Sequence, residues 1–237
     1  MLSLNSLLNL LNCMVVSLMY KILVADDHPL FRDAIVNIIG IKYPGSTTYE
    51  TEDVESTLAF VKDNEEIDLI LLDLNMPGMS NLNGLLDIRN QCPTTPVVIV
   101  SAEQEKQKIL QTLSYGAVGF IAKSSSKDII GDALDSIFQG NVYLPSDIMR
   151  SPTNSTATKN EFQALPENIS LLTRRELIVL QHLTKGEANK QIAFNLHISE
   201  TTVKSHVSSI LKKLGASNRV KVVLGCSNID FNQYLKR

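Results

Sequence analysis

Three aspartates stand where apolar runs end. Asp26 and Asp27 close "KILVADD", and Asp73 closes "IDLILLD". A buried strand does not normally end in adjacent carboxylates, because like charges at short range disfavour each other's ionised forms. A hard divalent cation is the natural counter-ion. Mg2+ is satisfied by a few carboxylates, a backbone carbonyl and several waters. Ser101 ends a fourth apolar run, "PVVIVS", and Lys123 a fifth, "VGFIAK". A divalent ion, a hydroxyl and an ammonium are what a phosphoryl group on a carboxylate needs around its oxygens. Asp73 would be the nucleophile, forming an aspartyl phosphate.

These residues meet only if the runs before them lie side by side. From Tyr20, β-forming apolar runs at 20–25, 47–51, 67–74, 96–102 and 118–123 alternate with segments of helical spacing at 29–40, 53–64, 82–91, 103–116 and 126–140. Gly40 and Gly116 read as helix stops and Ser126 as an N-cap. Five strand–helix units predict a doubly wound, flavodoxin-like α/β domain with a five-stranded parallel sheet. In such sheets the ligand site lies beyond the carboxyl ends of the strands, at a switch point. All the residues above then share one edge. Singly each has a plainer reading: Asp26 as a helix cap, Lys123 as a solvated charge, Ser101 as a small strand-end residue. Their joint placement argues for a site.

Four motifs, "DDH", "LLDLNMPG", "VVIVSA" and "GAVGFIAK", together resemble the receiver domain of bacterial two-component response regulators. The resemblance covers about residues 20–140. It implies Asp73 as phosphoacceptor. It also implies Mg2+ held by Asp27, Asp73 and the carbonyl of Asn75, with water links to Asp26. Ser101 and Lys123 would contact phosphoryl oxygens, and Phe120 occupies the family's aromatic switch position, although an aromatic there also reads as plain core. One departure is Asn81 where the family usually has Gly, and Asn tolerates the left-handed conformation better than most residues.

The chain carries a net charge of −3, unevenly divided. Residues 1–140 hold 9 Lys/Arg and 18 Asp/Glu, and residues 141–237 hold 13 and 7. An acidic half handles cations and a basic half polyanions. Cys13, Cys92 and Cys226 are too scattered for a disulfide framework or a zinc site, which points to a reducing compartment. The leader, residues 1–19, is apolar. It lacks a basic n-region and is interrupted by Asn5, Asn9 and Asn12, so it reads as a loose extension or over-long start rather than an anchor. After the α/β domain at 20–140, residues 141–167 read as a linker.

Residues 168–237 show helical patterns only and carry 11 Lys/Arg against 4 Asp/Glu. Four helices are expected, at 173–186, 188–197, 199–215 and 218–228, with Thr173 and Glu176 as a capping box and Ser199 as a second N-cap. Ala193 at a close crossing, Ile198 at the turn and the stripe Val203, Val207, Ile210, Leu211 define a helix-turn-helix, whose second helix enters the DNA major groove. "LTRREL", "GEANKQIAFNL" and "ISETTVKSHVSSILKKLGASNR" resemble the LuxR-type DNA-binding domain as it follows a receiver in regulators of the NarL/FixJ type. That resemblance places Lys204, Ser205 and Ser208 at base edges, and Thr173, Arg175, Lys190, Thr202 and His206 near phosphates.

The expected protein is a cytoplasmic, phosphorylation-controlled transcription regulator and not an enzyme. Its partners would be a sensor histidine kinase, double-stranded promoter DNA and a second copy of itself when phosphorylated, with RNA polymerase a further candidate and no membrane. Two rivals are weaker. An aspartyl-phosphate phosphohydrolase usually needs an acid two residues after the nucleophile, where this chain has Asn75. A DNA binder with a vestigial receiver would not need Asp26, Asp27, Asp73 and Lys123 together.

Overall fold

The computed structural model describes residues 19–64, 66–145, 166–216, 218–226, 229 and 231–235. The expectations for the leader through residue 18, for Cys13 and for linker residues 146–165 lie outside them.

Five strands, β1 (Lys21–Ala25), β2 (Thr47–Thr51), β3 (Leu69–Leu72), β4 (Val97–Ser101) and β5 (Gly119–Ala122), form one sheet in the order β2-β1-β3-β4-β5. Every neighbouring pair is parallel. Five helices connect and cover them: α1 (Pro29–Lys42), α2 (Val54–Asp63), α3 (Asn83–Gln91), α4 (Lys106–Ser114) and α5 (Lys127–Phe138). The strands alternate with period two. Leu23, Ile70, Leu72, Ile99 and Phe120 enter one apolar layer, and Ile22, Val24, Leu69, Leu71, Val98 and Ile121 enter the other. Burial on both faces explains why these strands read as continuous apolar runs. Strand β2, at the edge, is half-exposed and more polar.

Some boundaries differ from the sequence reading, each for a local reason. Helix α1 continues through Gly40 to Lys42, and the Tyr43 N–H closes it on the Ile39 carbonyl at 2.8 Å. Helix α4 starts at Lys106 rather than at 103, because the Glu103 N–H is turned back onto Ser101 Oγ at 3.2 Å. Tyr143, in the expected linker, forms a parallel bridge to Gly119, and its carbonyl accepts from the Phe120 N–H at 2.8 Å. The linker's first residues thus cover the β5 edge, which would otherwise leave backbone groups unpaired.

A 3-10 segment, Pro166–Leu171, leads into α6 (Arg174–Thr184), α7 (Asn189–Leu196), α8 (Glu200–Leu214) and α9 (Arg219–Cys226). A short fifth helix, α10 (Asn232–Leu235), follows where four were expected. The capping box is formed: Thr173 Oγ1 accepts from the Glu176 N–H and the Glu176 carboxylate accepts from the Thr173 N–H. Ser199 caps α8 by accepting from the Thr202 N–H at 3.0 Å. Val203, Val207, Ile210 and Leu211 are buried as the helix-turn-helix stripe requires, together with Ala193 of α7. His197 at the α7–α8 turn has φ +53°, the left-handed turn between the two helices. Among the described residues no helix is long and apolar enough to cross a membrane.

Candidate functional site

The chain passes from β1 outward to β2 and then returns across β1 to β3, so the topological switch point lies between the carboxyl ends of β1 and β3. Asp26 and Asp27 follow β1 and Asp73 follows β3. The Asp26 N–H donates to the Thr51 carbonyl at 3.0 Å and the Asp73 N–H to the Ala25 carbonyl at 2.8 Å. The ladders therefore extend into the site and fix both backbones. The Asp26 and Asp73 side chains are 3% and 0% exposed. Asp27 and Asn75 lie nearer the surface, and the Asn75 N–H donates to Asp73 Oδ1 at 3.2 Å.

Lys123, just past β5, spans the cluster. Its Nζ lies 2.7 Å from Asp26 Oδ2 and 2.8 Å from Asp73 Oδ2. Burial alone would lower the Lys123 pKa; the two carboxylates outweigh it and hold it above the ordinary lysine value. Ser101 is fully buried at the end of β4, its Oγ accepting from the Glu103 N–H. Phe120 is also fully buried and packs in the layer with Ile99 and Leu72, so the plain-core reading of this residue describes its position. Asn81 adopts φ +63°, as its left-handed tolerance allows, and Ser80 beside it has φ +41°.

The donors fit a divalent cation. One ligand atom each from Asp26, Asp27, His28 and Asp73 lies within 4.8 Å of all the others. Asp26 Oδ2 and Asp27 Oδ1 are enclosed, with Lys123 Nζ 2.7 Å from the first and His28 Nδ1 2.6 Å from the second. Three carboxylates this close carry more negative charge than the single Lys123 ammonium offsets, and a divalent ion supplies the difference. His28 had no assigned role in the sequence reading. Its position directly after two acids was the only signal.

At the opposite, amino-terminal edge of the sheet, the helical domain docks. Lys190 of α7 pairs with Asp68 at 2.6 Å, bonds the Met19 carbonyl, and stacks over the Tyr20 ring at 4.8 Å from its centroid. Lys204 of α8 donates to the Ile67 carbonyl at 3.2 Å and pairs with Glu200 at 3.5 Å. Asn189 reaches the Thr94 carbonyl at 3.4 Å. A Cβ added to Gly140 would stand 1.3 Å from the Gly186 carbonyl oxygen, so the two domains touch backbone to backbone there. Lys204, Ser205 and Ser208 line a cleft of about 720 Å3 between the domains, with Asp68 and Glu66 opposite. The residues expected at base edges therefore face the receiver in this arrangement. Of the expected phosphate contacts, Arg175, Thr173 and Thr202 are exposed, His206 is half-buried and Lys190 is engaged at the seam. Burial, and after it the Asp68 carboxylate, push the Glu200 pKa up despite Lys204 and Lys190. Nothing in the sequence pointed to Asp68, because its partner Lys190 comes from the other domain, nor to Glu200, which Asp68 approaches from across the seam.

A sheet with an acidic, lysine-spanned carboxyl edge, joined to a basic helix-turn-helix, defines a phosphoryl-responsive DNA-binding regulator. The response regulator receiver domain model matches residues 22–135, and that of the bacterial regulatory proteins of the luxR family matches residues 170–225. The chain is 56% identical over 222 residues to the glycerol metabolism activator of Pseudomonas putida, covering 92% of this chain and all of that one. It is 32% identical over 206 residues to the nitrate/nitrite response regulator protein NarP of Escherichia coli, covering 86% and 93%. A structure of the Salmonella typhimurium RcsB response regulator has the same fold, with TM-score 0.50 and 21% identity over 89% of this chain and 99% of that one. The chain belongs to the two-component response regulators that join a receiver domain to a LuxR-type helix-turn-helix domain. It is a transcriptional regulator.

Proposed function

We infer that Asp73 accepts a phosphoryl group from a sensor histidine kinase, and that the modification separates the two domains and frees α8 for promoter DNA. The observation that carries this reading is the Lys123 ammonium held between Asp73 and Asp26 at the switch point of the sheet. An Asp73 oxygen would form the new O–P bond as the P–N bond of the donor's phosphohistidine breaks. Asp26, Asp27, Asp73 and the Asn75 carbonyl would hold Mg2+, which when bound offsets charge on the phosphoryl oxygens. Lys123 would shift toward those oxygens and Ser101 would donate its hydroxyl to one. Each of these moves loosens a contact present in the unmodified site.

The seam supports the second half of the reading. Lys190 and Lys204, both expected at DNA, are spent on Asp68 and the Ile67 carbonyl. DNA cannot enter a face that is packed on the receiver. Freed domains would pair as a homodimer and read two half-sites on double-stranded DNA. The regulator would act in the cytoplasm, with RNA polymerase as the downstream partner, and without enzymatic turnover, since Asn75 fills the place of a second acid. The similarity to a glycerol metabolism activator supports the reading that this regulator too would activate glycerol metabolism. Loss of growth on glycerol in a deletion strain, restored by the intact gene, is the expected result.

The test is intact-mass analysis after incubation with Mg2+ and acetyl phosphate. Wild-type protein should gain one phosphoryl group and move to dimer on size exclusion, and Asp73→Asn should do neither. Labelling of Asp73→Asn would place the acceptor elsewhere.

A further inference from the structure

We propose that Arg89 is a charge built into the seam to oppose docking: the helical domain closes over its guanidinium without supplying an acceptor, and so keeps the closed state weak enough for phosphorylation to open. The inference rests on the reading of the seam as the block on DNA and names the group that limits its strength.

Arg89 lies in the last turn of α3 and is only 4% exposed. Its Nη1 donates to the Thr95 carbonyl at 3.0 Å. Nε and Nη2, an edge with which a guanidinium pairs bidentately with a carboxylate, are enclosed and have no hydrogen-bond partner among the described residues. Burial pushes the Arg89 pKa below the ordinary arginine value, and the group that counters this is the Cys92 thiol rather than a carboxylate. The carboxyl end of the α3 dipole offsets only a fraction of a full charge.

The helical domain reaches this edge through the start of α9. A Cβ added to Gly116 would stand 2.9 Å from Asn218 Nδ2 and 3.0 Å from Arg89 Nε, so both side chains converge on the backbone between α4 and β5. Asn218 is buried, and its Oδ1 accepts from the Lys221 N–H at 2.8 Å. The amide nitrogen is therefore the end turned toward Gly116 and Arg89. It is a donor, as the guanidinium is, and two donors cannot satisfy each other. One residue on, Arg219 Nη1 holds Asn189 Oδ1 at 3.2 Å, and Asn189 Nδ2 reaches the Thr94 carbonyl, next to the carbonyl that Arg89 holds. Both domains thus grip the segment between α3 and β4.

A charge taken from water without a counter-ion disfavours the state that buries it. When the domains part, water reaches Nε and Nη2 and the penalty is relieved. The Lys190–Asp68 pair and Arg89 therefore pull docking in opposite directions.

Two variants of the full-length, unphosphorylated protein test this. Arg89→Met removes the charge and leaves an apolar chain in its place. Asn218→Asp keeps a capping oxygen for α9 and turns a carboxylate toward the guanidinium. Both should tighten the seam, slowing amide exchange at residues 66–68 by about tenfold. Asn218→Asp should slow it no further in the Arg89→Met background, because its partner is gone. The DNA readout is taken on Arg89→Met, which leaves the charge of the helical domain unchanged. Its affinity for a duplex selected on the phosphorylated wild type should fall by about tenfold. Should Arg89→Met fail to fold, the exchange rate of Asn218→Asp alone decides. Exchange at or above the wild-type rate in either folded variant, or slowing by Asn218→Asp that persists in full without Arg89, overturns the inference. Slower exchange with unchanged DNA affinity upholds the role of Arg89 and contradicts the reading of the seam as the block on DNA.

Discussion

At the scale of single residues, the site works because one ammonium and three carboxylates share a buried edge. Lys123 is the movable charge. Lys123→Ala removes the cation that offsets Asp26 and Asp73, and the variant should still bind a divalent ion, with equal or higher affinity, while failing to dimerise after treatment with acetyl phosphate. Dimerisation at the wild-type level would show that Lys123 plays no part in the response. Lys204 is the most informative residue of the basic half. If it reads a base, Lys204→Ala should cost about 1–3 kcal/mol on specific DNA and much less on random DNA. Equal losses in a titration on both would make it a phosphate contact.

At the scale of elements, Glu176 shows how a helix-turn-helix is locked. It is buried at the start of α6, where it caps the Thr173 N–H and accepts from Ser209 at 2.5 Å and from Lys213 at 2.7 Å across to α8. Burial would raise its pKa, but Lys213, Ser209 and Thr173 together hold it down at about 2. A carboxyl with a lowered folded pKa contributes stability that is full above its unfolded value and fades as pH falls through the folded one. The helical domain should therefore lose of the order of 2 kcal/mol between about pH 5 and pH 2 through this group. Glu176→Gln should be less stable at pH 7 by a similar amount, with a shallower acid dependence in urea titrations. An unchanged midpoint at pH 7 would contradict this account.

Much of this level was legible in the sequence. Thr173, Ser199 and Ser126 cap helices because a short polar side chain before an apolar period has a local partner three residues on, and a local rule suffices. The acidic edge was legible for a similar reason: each strand delivers its last residue to the same end once the sheet is parallel. Gly40 misled because glycine stops a helix only where the backbone turns left-handed, and α1 keeps its hydrogen bonds through it. Tyr143 was missed because its bridge to Gly119 depends on an open sheet edge that only the assembled fold supplies. The same holds for Asp68, whose partner Lys190 lies 122 positions away.

At the scale of the whole molecule, input and output sit at opposite ends of the same strands. Asp73 follows β3 and Ile67 and Asp68 precede it, so the two ends are about 20 Å apart at the rise of an extended chain. Asp68→Asn weakens the seam without touching an expected DNA contact or the acidic edge. Loss of a partly buried pair of this kind is worth about 1–2 kcal/mol, so the unphosphorylated variant should bind promoter DNA roughly five- to thirtyfold more tightly than wild type if docking limits access. The phosphorylated proteins should bind alike. Unphosphorylated Asp68→Asn with wild-type affinity would mean that the seam does not limit access.

The most direct test of the account is amide hydrogen exchange at residues 66–68 and at the start of α8, measured with and without acetyl phosphate in the presence of Mg2+. Phosphorylated wild type should lose protection at both segments, and Asp73→Asn should keep it. Phosphorylated wild type that retains full protection at both would contradict the claim that modification of Asp73 opens the seam.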